Sequence, residues 1–310
     1  MDISNEIFAG AEALRRGQLV AFPTETVYGL GADATNDAAV ARLYAAKGRP
    51  SFNPLISHVA ETQAAFELGN FSDDARKLAK AFWPGPLTLV VPRAVDCPVS
   101  LLASAGLPSL ALRVPDHPLA LQLLAAAGRP VVAPSANPSG RVSPTTAEHV
   151  RAGLGEKVSV ILDGGPCTVG VESTVVSFMT ARAKLLRLGG LAREAIEPVL
   201  GYMPEVELDS AQRHSPGQMD SHYAPRALMR LNASAPRGEE IYLGFGEYMH
   251  GPHTLSARGD VVEAASNLFR LLHELDNAGA ATIAVAPIPD VGLGEAINDR
   301  LRRAAAPRPA

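Results

Sequence analysis

The chain has 310 residues, 47% of them apolar and 19% charged, with a formal charge of −4 at pH 7. That is enough apolar material for one large or two ordinary domains, and it excludes a disordered chain, which couples low hydrophobicity to high net charge. It also excludes a coat for bulk nucleic acid, which needs a strong basic excess, although a local basic cleft remains compatible with near-neutrality.

In chain order, residues 4–16 put Ile7, Phe8, Ala11 and Leu14 on one helical stripe stopped by Gly17. QLVAF follows as a strand. NDAAVARLYAAKG is a helix with Asn36 or Asp37 as cap and Gly48 as stop. SDDARKLAKAF has Ser72 as cap, acids in its first turn and lysines later, as the helix dipole favours. LTLVV, LALRV, PVVA, VSVIL, STVVSF and KLLRL have strand patterns, and HPLALQLLAAAG and TTAEHVRAGL have helical ones. Strands outnumber helices, and VSVIL and STVVSF have no helix between them. The predicted fold is therefore α/β, a twisted mixed parallel and antiparallel sheet with helices on its faces.

Residues 201–226, with three prolines and no sustained apolar period, have the composition of a long linker. Beyond it, ALMRL and EEIYLGF are strands, and DVVEAASNLFRLLHELDNAG is a helix with Val262, Ala265, Leu268, Phe269, Leu272 and Leu275 on one stripe. TIAVAPI and LGEAINDRLRRAAA add a strand and a final helix, suggesting a small Rossmann-like α/β domain. The expected organisation is a catalytic domain over 1–200, a linker over 201–226 and a small domain over 227–310. Residues 1–200 carry equal numbers of basic and acidic residues, whereas 201–310 hold 10 and 14.

Cys97 and Cys167 make no disulfide framework, and no CxxC pair is present. The acidic N-terminal segment lacks the pattern of a signal peptide, and no run approaches the roughly 18 apolar residues of a membrane span. A cytoplasmic protein without membrane contact is expected.

Nucleotide signatures are indirect. GxxxxGK[ST] is absent, and the GxGxxA match at Gly29–Ala34 lacks an acid at the right distance and reads as turn glycines. Three other segments concentrate polar chemistry. PTETVYGLG crowds small hydroxyls at a strand end. KGRPSFNPLISHV sets Lys47, Arg49, Asn53 and His58 in a proline-punctuated stretch, where arginine offers a planar fork for phosphate and lysine a point charge. PVVAPSANPSGRVSPTT ends a strand in small residues that let backbone N–H groups approach an anion, with Ser135, Asn137, Ser139 and Ser143 as further donors. Glu172 and Ser173 open a strand, and Arg113 and Arg187 lie inside strand patterns. An arginine there must face water, an acid or an anionic ligand. Together these groups suggest a cationic concavity on the first sheet.

The segments FPTETVYGLG, KGRPSFNPLISHV, FWPGPLTLVV, LALRVPDHP, PVVAPSANPSG, VESTVV, LLRLGG, SPGQMDSHYAP and GLGEAINDRL, in this order, resemble the YrdC-like threonylcarbamoyl-AMP synthase family in its two-domain form. The resemblance implies an adenylate-forming nucleotidyltransferase that converts L-threonine, bicarbonate and ATP to threonylcarbamoyl-AMP and pyrophosphate. The product would go to a tRNA threonylcarbamoyl transferase complex for modification beside the anticodon, so that tRNA binding by this chain is not required. Magnesium would enter on the ATP phosphates, with no protein ligand assigned. Carried over by position, Thr26, His58, Arg113, Ala133 and Ser173 would meet L-threonine. Arg49, Asn53, Ser109, Ser135, Ser143, Arg187, Ser221, His222 and Tyr223 would meet ATP, and Lys47, Arg49 and His58 are the candidate catalytic groups. The alternative is a non-catalytic RNA-binding module on the same basic face, disfavoured by an aromatic content of 5%.

Overall fold

The computed structural model of the chain describes residues 3–208 and 222–307. The larger of its two sheets draws on everything up to residue 206. In order, its elements are α1 (Ile3–Arg15), β1 (Val20–Phe22), β2 (Gly29–Asp33), α2 (Asp37–Lys47), β3 (Ile56–His58), α3 (Thr62–Leu68) and α4 (Asp73–Phe82). Then come β4 (Leu87–Pro92), β5 (Ser109–Arg113), α5 (Pro118–Ala127), β6 (Val131–Val132), α6 (Ala147–Leu154), β7 (Val160–Ile161), β8 (Thr174–Ser177), β9 (Lys184–Arg187), α7 (Arg193–Leu200) and β10 (Glu205–Val206). The strand order is β10-β9-β8-β4-β5-β3-β6-β2-β1-β7, with parallel and antiparallel neighbours interspersed, which is the mixed sheet the sequence predicts.

Helix ends follow local chemistry. Asn36 Oδ1 accepts from the Ala39 N–H at 3.1 Å, so Asn36 rather than Asp37 caps α2, and Gly48 ends that helix in the left-handed region at φ 59°. Ser72 Oγ caps α4 through the Ala75 N–H. Two stripe assignments need correction. Phe8 is 65% exposed, because Gly10 completes the buried row of Ile7, Ala11 and Leu14. A Cβ on Gly10 would come within 3.1 Å of Leu123 on α5. Val262, 59% exposed, stands in the first turn of its helix, ahead of the packed core.

The Gly29–Gly31 pattern is not a turn but strand β2. A Cβ on Gly31 would approach Phe22 Cε1 to 2.9 Å, and one on Gly29 would approach Ala133 Cβ to 3.1 Å. These glycines let neighbouring strands and side chains close over them. The stretch read as linker begins as structure too, since β10 adds a parallel edge strand to β9.

Side-chain alternation gives the large sheet two faces. Leu89, Val91, Leu110, Leu112, Val176 and Leu185 enter the main core on one. Ile56, Val90, Ala111, Val175 and Leu186 form a small apolar floor on the other, and this second face carries the polar groups of interest. The smaller sheet has β11 (Leu228–Arg230), β12 (Ile241–Leu243) and β13 (Thr282–Val285), all parallel in the order β11-β13-β12, with α8 (Val261–Asn277) and α9 (Leu293–Ala305). No helix among the described residues is long and apolar enough to cross a membrane.

Candidate active site

His58 and Arg113 end adjacent parallel strands and pair in register, so both side chains reach the second face of the sheet. Burial, then the nearby Arg113 charge, pushes the His58 pKa down to about 3, so its imidazole is neutral at physiological pH. Its Nδ1 lies 3.2 Å from the Ile56 carbonyl. Arg113 donates through Nη2 to Glu25 Oε1 at 2.7 Å and to Thr26 Oγ1 at 3.0 Å, and through Nε to the Gly85 carbonyl at 3.3 Å. Glu25 also accepts from the Asp116 N–H at 3.0 Å.

The KGRP segment supplies two more cations. Helix α2 runs out at Lys47, and the left-handed Gly48 reverses the chain so that Arg49 points inward as well. Lys47 Nζ donates to the carbonyls of Ser135 and Asn137. Burial, then Arg49, lowers its pKa well below the ordinary lysine value. Arg49 is anchored to the Asn53 and Pro54 carbonyls at 3.2 and 3.0 Å, and burial brings its pKa down to about 10.

The segment after β6 forms the third wall. Leu30 N–H donates to the Pro134 carbonyl at 2.7 Å and Ala136 N–H to that of Tyr28 at 2.8 Å, which ties the small-residue run to β2. Ala133, Ser135, Asn137 and Ser139 line the hollow, and Asn137 Oδ1 is buried without a hydrogen-bond partner among the described residues. A buried acceptor in that state is uncommon in a finished core and suits a binding site.

A bulge completes the cationic set. Between β8 and β9, Val175 pairs with Arg187 while Val176 pairs with Leu185, so Leu186 is the extra residue. Leu186 joins the apolar floor and Arg187 still reaches the hollow. Arg187 donates to the Ser173 carbonyl and hydroxyl, both at 3.0 Å. Ser173 Oγ also lies 2.7 Å from Thr88 Oγ1.

Thus Thr26, Lys47, Arg49, His58, Arg113, Ala133, Ser135, Ser173, Arg187, His222 and Tyr223 converge on one hollow. Asn53 and Ser143 stand outside its lining: Asn53 gives its carbonyl to Arg49, and the Ser143 hydroxyl donates to Glu172 Oε1 at 2.6 Å. Ser109 shares the strand face of Arg113 but lines a separate, mostly apolar slot of about 200 Å³ with Pro108, Met179 and Leu186. Ser221 lies outside the described residues. With His222 and Tyr223 in its wall, the hollow has a cavity volume of only about 50 Å³. Tyr223 is held at φ 64°, a strained conformation for a bulky residue, with its ring stacked 5.6 Å from Phe269 on α8. Burial, then Glu172, Arg49, Lys47 and Arg300 acting in opposed senses, leaves the His222 pKa at about 3.

Two carboxylates escaped assignment from sequence. Glu25 belongs to the PTETVYGLG segment, but its partnership with Arg113 spans 88 positions and has no local signal. Glu172 is the one carboxylate lining the hollow among the described residues.

Comparison with known proteins identifies the family. The Sua5–YciO–YrdC family model, described as "Telomere recombination", matches residues 12–189. The model described as "Threonylcarbamoyl-AMP synthase, C-terminal domain" matches residues 191–306. A threonylcarbamoyl-AMP synthase of Bacillus subtilis is 41% identical over 98% of this chain and 94% of its own length. One from Schizosaccharomyces pombe is 36% identical over 92% and 84%. The crystal structure of Pyrococcus abyssi Sua5 complexed with L-threonine superposes with a TM-score of 0.89 at 38% identity, covering 96% of this chain and 94% of that one. The chain belongs to the Sua5–YciO–YrdC family, in the form that carries the additional C-terminal domain.

Proposed function

We propose that the chain is an L-threonylcarbamoyladenylate synthase, and that the hollow joins L-threonine, bicarbonate-derived carbon dioxide and ATP into threonylcarbamoyl-AMP with release of pyrophosphate. The observation that carries this reading is the convergence of Lys47, Arg49, Arg113 and Arg187, each no more than 9% exposed, on one cavity. Four cations held out of water repel one another and are poorly solvated, so the cavity favours anionic guests. Their burial favours a compact ligand over RNA, whose backbone needs cations it can reach from solvent.

The chemistry suits that environment. The threonine amine captures carbon dioxide as a carbamate, a carbamate oxygen attacks the α-phosphorus, and the bond to pyrophosphate breaks. Two anions must meet, so positioning and charge neutralisation are the main demands. In this reading Arg113 takes the threonine carboxylate, with Thr26, Ser173, the Ala133 backbone and the neutral His58 completing that end. Lys47 and Arg49 serve the phosphates and Ser135 and Arg187 the nucleotide, while Asn53 and Ser143 act from behind the lining by holding Arg49 and Glu172. The slot at Ser109 shares the apolar floor with the hollow and offers a place for the base. The remaining 50 Å³ is far below the several hundred that a ligand of this size needs, so ATP entry requires His222 and Tyr223 to withdraw. Their return would exclude water from a labile mixed anhydride.

Magnesium, if carried on the ATP phosphates, would supply charge neutralisation there. No group of three or more His, Cys, Asp or Glu side chains among the described residues forms a cage for it. Residues 1–200 form the catalytic domain, 201–226 a linker whose residues 209–221 lie outside the described ones, and 227–310 a small α/β domain. The product passes in the cytoplasm to a tRNA threonylcarbamoyl transferase complex. The test is pyrophosphate release by purified protein with L-threonine, bicarbonate, ATP and magnesium. Release is expected to stop when threonine is omitted, and release that ignores threonine overturns the proposal.

A further inference from the structure

We propose that Arg300, on α9 of the second sheet, is a positioning residue for the nucleotide side of the hollow: it holds the Glu172 carboxylate away from Arg187. The inference rests on the synthase reading above and assigns a task to the GLGEAINDRL segment, whose chemistry that reading leaves unused.

A carboxylate in a cavity built for anions repels its guests unless a cation answers it. Glu172 is that carboxylate, and its answer comes from the other sheet. Arg300 is 1% exposed and donates through Nε to Glu172 Oε2 at 2.8 Å, through Nη1 to Asp299 Oδ2 at 2.7 Å and through Nη2 to the Leu188 carbonyl at 2.8 Å. Asp299 Oδ1 in turn accepts from Arg303 at 3.0 Å, so the guanidinium is fixed from behind. The same guanidinium lies 5.1 Å from the centre of the Tyr223 ring. With Ser143 on its other oxygen, both carboxylate oxygens of Glu172 are engaged.

Burial opposes ionisation of Glu172 most strongly, yet Arg300, Arg187 and the Ser143 hydroxyl together keep its pKa below the ordinary carboxylate value. Arg187 is therefore the cation left to it if Arg300 is removed. A Glu172–Arg187 pair would draw Arg187 off Ser173 and out of the nucleotide's reach. Arg113 and His58 stand on β5 and β3, and among the described residues neither is hydrogen-bonded to Glu172. Buried ion pairs of this kind are poor stabilisers compared with apolar packing, which also favours a positioning role over a purely structural one.

The test is calorimetric titration of the full-length protein with ATP and, separately, with L-threonine. Arg300→Met is expected to weaken ATP binding about 30-fold or more while threonine binding stays within about threefold. Adding Glu172→Gln to Arg300→Met removes the carboxylate that captures Arg187, and is expected to bring ATP affinity back to within about fivefold of the parent. Circular dichroism confirms folding. If Arg300→Met alone does not fold, the double variant decides: near-parental ATP affinity supports the inference, and affinity as weak as the single variant's expected value overturns it. Equal weakening of both ligands, or no change for ATP, also overturns it. Absence of ATP binding by the unaltered protein would bring down the synthase reading and this inference together. ATP binding that survives Arg300→Met would bring down this inference alone.

Discussion

Arg113→Met removes two interactions that can be measured apart. In the structure its guanidinium answers Glu25 at 2.7 Å, with side chains 5% and 7% exposed. Without it, Glu25 keeps the Asp116 N–H but, among the described residues, is left with no salt-bridge partner. An uncompensated buried carboxylate of this kind costs about 3–5 kcal/mol of folding stability. The second loss is the anchor for the threonine carboxylate. A desolvated, charge-assisted pair is worth about 2–4 kcal/mol, or roughly 30- to 1,000-fold in affinity. Glu25→Gln separates the two. The double variant Arg113→Met/Glu25→Gln carries no orphaned charge and is expected to regain stability to within about 1 kcal/mol of the parent. Its threonine affinity is expected to remain lost. Urea denaturation reads the first quantity and calorimetric titration with L-threonine the second. Threonine binding by the double variant within about threefold of the parent would refute the assignment of Arg113 to the carboxylate. A double variant no more stable than the single one would refute the electrostatic account of Glu25.

Three further outcomes are open to measurement. His58, with its pKa pushed down to about 3, stays neutral, so threonine affinity should show no inflection near pH 6.5 that disappears in His58→Gln. The His149 and His273 rings stack 3.9 Å apart at 20° where α6 meets α8, and burial lowers both pKa values, that of His149 to about 4. Because the folded protein binds these protons more weakly than the unfolded chain, their contribution is present above about pH 6.5 and is lost as pH falls towards 4. His149→Gln should flatten the pH dependence of urea midpoints over that interval, and an unchanged slope counts against the pair as its source. Gly189→Ala should destabilise the fold by about 3 kcal/mol or more, since its Cβ would meet the Glu172 carbonyl oxygen at 2.3 Å and Ser173 C at 2.4 Å, both backbone. A urea midpoint close to the parent's would mean that this wall yields.

The sequence by itself determined the mixed sheet and most of the helices, though not the short α3 and α7, and it named many of the residues that line the hollow. Caps at Asn36 and Ser72 and the stop at Gly48 act within one turn, so their signals are local. Arg113 and Arg187 stood out because an arginine in a buried strand needs a partner, whatever the topology. Tertiary structure alone decided which partner. Glu25 meets Arg113 across 88 positions and Glu172 meets Arg300 across 128, and spacing along the chain carries no record of such encounters. The Leu186 bulge, which brings Arg187 round to the hollow, depends on the register of β8 against β9. Phe8 and Gly29–Gly31 were misread because burial is set by what a neighbouring element brings, here Leu123 beside Gly10 and Phe22 over Gly31. Local signals come from a residue's own turn, whereas sites arise where distant strands end side by side, and only the folded sheet order puts those ends together.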